Sequence, residues 1–231
     1  MCGAVRPITG GVCSVCGERL ASPFLAAGER CGLCRRAAPP FAKAVAYGSY
    51  DGGLRELIHL LKYEQVRPAA GLLGRMLAEA ISNLVMGVDE ISVVPVPLHR
   101  RKLRQRGFNQ AELITRAALK QIGGERFALK PGNLQRRRET QSQIGLTRHQ
   151  RRENMRGAFA AVKPDPVKGR DILIVDDVFT TGTRVSECAR ILRRSGASKV
   201  YVATVARTLK AEARLVELPR EEEMQAIAAA G

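Results

Sequence analysis

Short, continuous runs of apolar residues alternate along the chain with longer segments in which apolar residues recur every three or four positions. Four of the runs are predicted to be strands, 42–50, 91–97, 172–175 and 200–206, and of these 91–97 and 172–175 are predicted to be buried. The intervening segments have the spacing of amphipathic helices, which are predicted to begin near residues 54, 68, 109 and 184. Strands followed by helices in this way predict an α/β fold with buried parallel strands.

The remaining segments define the predicted domain boundaries. Pro39-Pro40 ends a cysteine-rich segment, 1–39, which has too few apolar residues to form a core of its own. An α/β domain is predicted over 40–210, and 211–231 is predicted to be an acidic, helical tail. Three short elements are predicted inside the domain: an exposed strand or extended arm over 134–140, a helix over 148–156 and a strand over 159–162.

The segment after the strand 172–175 carries the most specific chemistry in the chain. Asp176 and Asp177 end the strand, and Thr180-Thr181-Gly182-Thr183 leads into the next helix. Gly182 permits a tight turn, and the threonine hydroxyls with the first N–H groups of the helix form a predicted anion site. Because carboxylates repel a phosphate, the acids are predicted to bind sugar hydroxyls or a hydrated Mg²⁺. Together these groups predict a ribose 5-phosphate site. The alternative is a capping threonine beside two solvated acids.

Charge adds a second prediction. The formal net charge is +16, and the segment between His99 and Arg156 contains 16 Lys or Arg against 4 acids, a net of +12. This concentration predicts a polyanionic partner. Aromatic residues make up only 4% of the chain, which disfavours binding through many stacked rings. The alternative is a basic surface that serves solubility alone.

One part of this basic segment follows the strand 91–97 directly. Residues 99–108 carry five Lys or Arg and a single glycine, Gly107. Because mobile cationic loops commonly close over phosphates, we interpret this part as a lid over the predicted phosphate site. The alternative is a basic surface loop.

The N-terminal segment contains two CxxC pairs. Cys13 and Cys16 form the first pair, Cys31 and Cys34 form the second, and 14 residues separate the pairs. This double spacing is typical of a four-thiolate zinc site, in which the metal would supply the folding energy of the segment. Two disulfides or redox-active CxxC pairs are the alternatives. Because no secretory signal or membrane span is evident, a cytoplasmic protein without membrane contact is expected, and disulfides are disfavoured there.

Several stretches occur in an order that resembles one family. They are Val94-Pro-Val-Pro-Leu-His99, Arg106-Gly-Phe-Asn-Gln110, Arg138-x-Thr140-x-x-Gln143, Arg151-x-x-Asn154, Gly157-Ala-Phe159 and the loop at Asp176. The loop itself resembles the 5-phosphoribosyl-1-pyrophosphate (PRPP) motif of type I phosphoribosyltransferases. With the paired cysteines, the stretches extend from Cys13 to Arg207, and the chain is identified as similar to the ComF family of competence-protein-F-like proteins.

The resemblance implies a zinc ribbon followed by a type I phosphoribosyltransferase domain, with a mainly parallel sheet flanked by helices. The residues implied to bind PRPP or a related ribose phosphate, with Mg²⁺, are Asp176, Asp177, Thr180, Thr181, Gly182, Thr183, His99 and Arg100. In a transfer reaction, cations beside the departing pyrophosphate would matter most, and Arg104 and Arg106 are the candidate catalytic residues.

The family is associated with natural transformation, which implies a cytoplasmic role in the uptake of single-stranded DNA and a DNA-uptake helicase as a partner. The candidate nucleic-acid-binding residues are Arg136, Arg137, Arg138, Arg151 and Arg152. Two hypotheses follow. The first is a DNA-binding protein that has a PRPP pocket, and the second is an active phosphoribosyltransferase for an unidentified acceptor. The charge distribution favours the first, and the intact acid-acid-Thr-Thr-Gly-Thr loop keeps the second open.

Overall fold

The computed structural model of this chain describes residues 5, 7–8, 11–20, 28–84, 90–140, 147–162 and 167–209. Seven strands are found there: β1 (Lys43–Ser49), β2 (Ile91–Pro95), β3 (Phe127–Leu129), β4 (Leu134–Arg136), β5 (Phe159–Ala161), β6 (Asp171–Phe179) and β7 (Val200–Arg207). The α-helices in the same ranges are α1 (Gly32–Arg36), α2 (Gly52–Tyr63), α3 (Ala69–Ser82), α4 (Arg100–Arg106), α5 (Gln110–Ile122), α6 (Arg148–Met155) and α7 (Thr183–Arg194).

Five strands form the central sheet in the order β1-β7-β6-β2-β3, and all of its described pairings are parallel. Every residue of β2, β6 and β7 is buried, as the continuous apolar runs predict. β4 and β5 form a separate antiparallel pair. The prediction of a mainly parallel sheet flanked by helices is therefore confirmed.

Apolar side chains fill the space on both faces of the sheet. On one face, Leu54 of α2, Leu77 of α3 and Ile114 of α5 belong to a single buried cluster. On the other face, Leu192 of α7 shares a second cluster with Cys13 of the first CxxC pair. The cysteine segment thus packs against the body of the α/β fold rather than standing apart from it.

The cysteine segment also bonds to the outer edge of the sheet. The Ala44 N–H in β1 donates to the Val15 carbonyl at 2.7 Å, and the Ile8 N–H donates to the Tyr47 carbonyl at 2.9 Å. These bonds occupy part of the free edge of β1, which would otherwise expose unpaired backbone groups.

Two local predictions need correction. β6 does not end at residue 175, because its ladder with β7 continues through Asp176 to Phe179. The predicted loop over 99–108 is also wrong, since α4 occupies most of it. Arginine, lysine, leucine and glutamine are good helix formers, and Gly107, at φ 77°, ends the helix in the left-handed conformation.

The predicted acidic tail over 211–231 lies outside the described residues. Among the helices that the structure does describe, none combines the length and the apolar character needed to cross a membrane.

Candidate functional site

The topology creates a crevice at the carboxyl end of the sheet. From β2 the chain continues to β3 on one side, and from β6 it continues to β7 on the other side. In open α/β sheets, ligands bind outside the carboxyl ends of the strands at such a switch point. The acid pair of β6 and the residues after β2 meet at this position.

Gly182 shapes the loop after β6. It caps α7 with φ 73° and ψ 1°, a left-handed conformation that disfavours other residues. A Cβ atom at this position would lie 2.5 Å from the Cζ atom of Phe179, so the ring closes the inside of the turn. The Thr181 and Thr183 hydroxyl oxygens lie 2.9 Å apart beside the first turn of α7. The first N–H groups of a helix lack intrahelical partners, so hydroxyls and amides converge on one point, suited to an anion.

The two acids of β6 point to opposite faces of the sheet, as neighbours on a strand must. Asp177, fully buried, faces the side of α2 and α5. It forms an ion pair with Lys62 and accepts a hydrogen bond of 3.2 Å from the Gln110 amide. Burial acts to raise the pKa of Asp177, but Lys62 and then Arg184 outweigh it and lower the pKa to about 2.

Asp176 faces α7 and is 1% exposed. Its Oδ1 atom accepts a hydrogen bond of 3.2 Å from Arg184, and its buried Oδ2 atom lies 3.1 Å from the same guanidinium nitrogen, so the whole carboxylate is ion-paired with Arg184. Burial raises the pKa of Asp176 to about 7, against the pull of Arg184. The two neighbouring carboxyls therefore differ strongly in acidity.

A ribose hydroxyl or a Mg²⁺ shell at the Asp176 carboxylate would compete with Arg184 for its oxygens. Magnesium binds through one or two carboxylates and keeps waters and substrate phosphates as its other ligands. Among the described residues, no group of three carboxylate or imidazole ligands forms around the acid pair. The acid pair would therefore supply at most two carboxylates to a Mg²⁺ ion, and its remaining ligands would be waters and phosphate oxygens.

The residues after β2 lie close to the crevice. His99 caps α4, and its Nδ1 atom is buried without a hydrogen-bond partner in the described structure. Arg100 and Arg104 are exposed on α4. Arg106, half-buried, donates to the Gln110 side chain at 2.5 Å and lies over the ring of Tyr63. Because Gln110 bonds to Asp177, Arg106 is linked to the acid pair through one intermediate side chain.

The candidate nucleic-acid-binding arginines differ in their surroundings. Arg136 lies in β4, beside His99, and its guanidinium covers the ring of Phe159. Burial and then Arg184 lower the pKa of Arg136, while Asp176 acts to raise it. Arg136 therefore interacts electrostatically with the charged residues of the crevice.

Arg138 donates to the carbonyls of Asn154 and Arg156 at 2.8 and 3.0 Å and thereby fixes the end of α6. Arg137 is exposed. Arg151 and Arg152 lie in α6, and their side chains are outside what the structure describes.

The four cysteines of the paired motifs form a compact cluster. Their Sγ atoms all lie within 4.8 Å of one another, and those of Cys16 and Cys31 are 3.7 Å apart. Two thiolates at corners of a tetrahedral zinc site, with bonds of about 2.3 Å, lie about 3.8 Å apart. None of these cysteines forms a disulfide. The cluster therefore fits one metal ion and a small zinc ribbon.

Burial of the cluster also favours a bound cation. It raises the pKa of Cys16 to about 11 and that of Cys34 further. Burial acts in the same direction on Cys13, but nearby backbone N–H groups outweigh it and lower the pKa to about 7. Four clustered thiolates, three of them buried, repel one another, so full ionisation at neutral pH requires a positive ion among them.

Sequence reasoning missed four residues that complete these sites. Lys62, near the end of α2, pairs with Asp177. Gln110 ends one of the stretches quoted above and Arg184 directly follows the threonine-rich loop, and neither has an assigned role there. Arg207, the only charged residue of the fully buried β7, bonds to the cysteine segment. A lone charge in a fully buried strand was the signal available for Arg207.

The fold and the loop define the class of phosphoribosyltransferase-fold proteins. Residues 135–222 match the family model described as phosphoribosyl transferase domain. A solved glutamine PRPP amidotransferase from B. subtilis is similar with a TM-score of 0.38 and 23% identity over 60% of this chain and 26% of that chain.

Curated relatives identify the family more narrowly. DNA utilization protein YhgH of Salmonella typhimurium is 34% identical over 203 residues, which are 86% of this chain and 85% of the relative. Competence protein F of Haemophilus influenzae is 30% identical over 201 residues, 84% of each chain. The chain belongs to the ComF family.

Proposed function

We propose that this protein binds PRPP through the loop after β6 and single-stranded DNA through its basic surface, as a ComF-type protein acting in DNA uptake in the cytoplasm. The observation that carries the first part is the turn at Gly182, which gathers the Thr181 and Thr183 hydroxyls at the start of α7. Beside it lies the carboxylate of Asp176, which is paired with Arg184. A phosphate site next to a hydroxyl or Mg²⁺ site matches a ribose 5-phosphate.

The alternative function is phosphoribosyl transfer to an acceptor. It is favoured by the basic residues near the crevice, since Arg104 and Arg106 of α4 could stabilise a departing pyrophosphate. Pyrophosphate release is the discriminating measurement, made with PRPP, Mg²⁺ and a panel of nitrogen acceptors. Release that depends on an acceptor and is lost in the Asp176→Asn variant would establish the enzyme. PRPP binding without release supports a ligand site.

The cysteine cluster is proposed to hold one structural Zn²⁺. We expect about one zinc per chain in protein purified without chelator, because four clustered thiols, with the Cys16 and Cys31 sulfurs 3.7 Å apart, need a cation to ionise. Elemental analysis measures the metal, and Cys16→Ser provides the comparison, with an expected loss of most of it. Metal content near zero in the parent, with oxidised cysteines, would contradict the assignment.

DNA binding is proposed to rest on the exposed part of the basic segment. Arg136 and Arg138 already have partners in the fold, whereas Arg100, Arg104 and Arg137 are exposed and have no ion pair in the described structure. Such residues reach a phosphate backbone without disturbing the core. Arginine also stacks on bases, which suits single strands.

A salt series provides the quantitative prediction for DNA. Each phosphate neutralised on a single strand contributes about −0.7 to the slope of log affinity against log salt. Changing Arg100, Arg104 and Arg137 together to Ala is expected to flatten the slope by about 2. Fluorescence anisotropy with a labelled oligonucleotide measures it.

The matched control removes three exposed charges outside the basic segment, Arg55, Arg75 and Lys168. Equal flattening in both triple variants would show that net charge alone drives the binding. Absence of binding by the parent at low salt would overturn the DNA part of the proposal.

A further inference from the structure

Arg207 connects the cysteine cluster to the sheet. It ends β7, and its side chain is 4% exposed. One guanidinium nitrogen donates to the backbone carbonyl of Cys16 at 2.5 Å, and another lies 2.8 Å from a Glu18 oxygen. Both acceptors lie in the segment 13–18, which contains the first CxxC pair. Arg207 therefore holds this segment against the carboxyl end of the sheet.

The same guanidinium also contacts the phosphate loop through a ring. Its central carbon lies 4.5 Å from the ring centroid of Phe179, the residue paired with Arg207 across the ladder of β6 and β7. The Phe179 ring in turn closes the inside of the turn at Gly182. A displacement of Arg207 therefore moves the surface on which the loop rests.

A cavity joins the two regions on the solvent side. Its volume is about 740 Å³, and its lining includes Cys16 and Cys34 together with Thr181, Gly182 and Thr183. The cysteine cluster and the phosphate loop are thus neighbours along one wall as well as through the buried contacts of Arg207.

We propose that Arg207 is a positioning residue that couples the metal-loaded cysteine cluster to the phosphate loop, so that metal binding and ribose-phosphate binding strengthen each other. The inference rests on the proposed PRPP function. The metal holds the Cys16 turn, the turn holds Arg207, and Arg207 with Phe179 holds the loop at Gly182. Coupling of this kind is reciprocal, because the two binding equilibria share one free energy.

The experiment uses the full chain loaded with Co²⁺ or stripped of metal, titrated with PRPP and Mg²⁺ by calorimetry. We expect metal removal to weaken PRPP binding roughly tenfold in the parent, within the usual range of coupling between sites. In Arg207→Met the metal content should persist, the affinity should fall, and the dependence on metal should disappear. The cobalt–thiolate absorption should shift on PRPP addition in the parent and stay constant in the variant.

Two further variants make the result decisive. Arg170→Met is the matched control, since Arg170 also pairs with a glutamate, Glu90, but is 47% exposed and away from both sites. It should keep the coupling. Phe179→Leu leaves the Arg207 contacts to Cys16 and Glu18 intact and should lose the coupling, which covers the case in which Arg207→Met does not fold.

The possible outcomes distinguish a failure of the coupling from a failure of the proposed PRPP binding. No PRPP binding by the metal-loaded parent overturns both. PRPP binding that neither metal removal nor Phe179→Leu changes overturns the coupling alone.

Discussion

Replacing Gly182 with alanine is expected to remove most PRPP binding. The left-handed backbone there costs an alanine about 1–2 kcal/mol, and the added methyl would overlap the ring of Phe179, which lies 2.5 Å away. Either the Phe179 ring or the turn must move, and the loop amides and hydroxyls then no longer point at one phosphate position. Losing two charge-assisted hydrogen bonds, each worth roughly 1.5–3 kcal/mol, weakens binding about a hundredfold or more.

Gly169→Ala is the matched control for this substitution. Gly169 has φ 71°, close to that of Gly182, but nothing lies within 4 Å of the position that its Cβ would take. Gly169→Ala therefore has the same backbone conformational cost as Gly182→Ala, but its added methyl group overlaps no ring. Calorimetry should find the affinity of Gly169→Ala near that of the parent. Equal losses in the two variants would mean that reduced stability, rather than loop shape, governs binding.

The two acids of β6 are expected to have opposite effects on stability. Asp177 has a pKa lowered to about 2 by Lys62, so its ionised form stabilises the fold by roughly 2 kcal/mol above pH 4. Asp177→Asn removes this contribution and leaves the largely buried Lys62 without its partner. Asp176 has a pKa raised to about 7, so above that pH its ionised form opposes folding, by on the order of 4 kcal/mol.

The pH dependence gives the sign of each effect. Stability from Asp177 is complete above its unfolded pKa near 4 and is lost as the pH falls through 2. The penalty from Asp176 is absent below pH 4 and grows until pH 7.

Urea unfolding between pH 5 and 8 should therefore show Asp177→Asn less stable than the parent throughout. The free energy of unfolding of Asp176→Asn should increase relative to that of the parent as the pH rises. A parallel response of the two variants would contradict the opposite environments of the acids.

Much of this site follows from local sequence. The strand, the turn at Gly182 and the start of α7 are encoded within a dozen consecutive residues, and the cysteine pairs specify their own spacing. Such features need no knowledge of distant contacts. A glycine after a run of basic residues fits both a mobile loop and the end of a helix, and the structure shows that Gly107 ends the helix α4.

The contacts that complete the site come from residues far apart in the chain. Glu18 and Arg207 are separated by 189 residues, and Gln110 and Asp177 by 67. The local sequence pattern does not predict these two contacts, because each contact depends on which strands lie side by side in the sheet. The burial of both acids has the same origin, because β6 extends past them along β7.

Titration of PRPP with Mg²⁺ into the metal-loaded parent is the most direct test of the central claim. We predict saturable binding of one PRPP per chain, weakened roughly tenfold or more in Thr181→Ala, which loses one charge-assisted hydrogen bond to the phosphate. A parent that gives no binding heat, or a Thr181→Ala variant that binds as tightly as the parent, would contradict the assignment of the loop after β6 as the phosphate site.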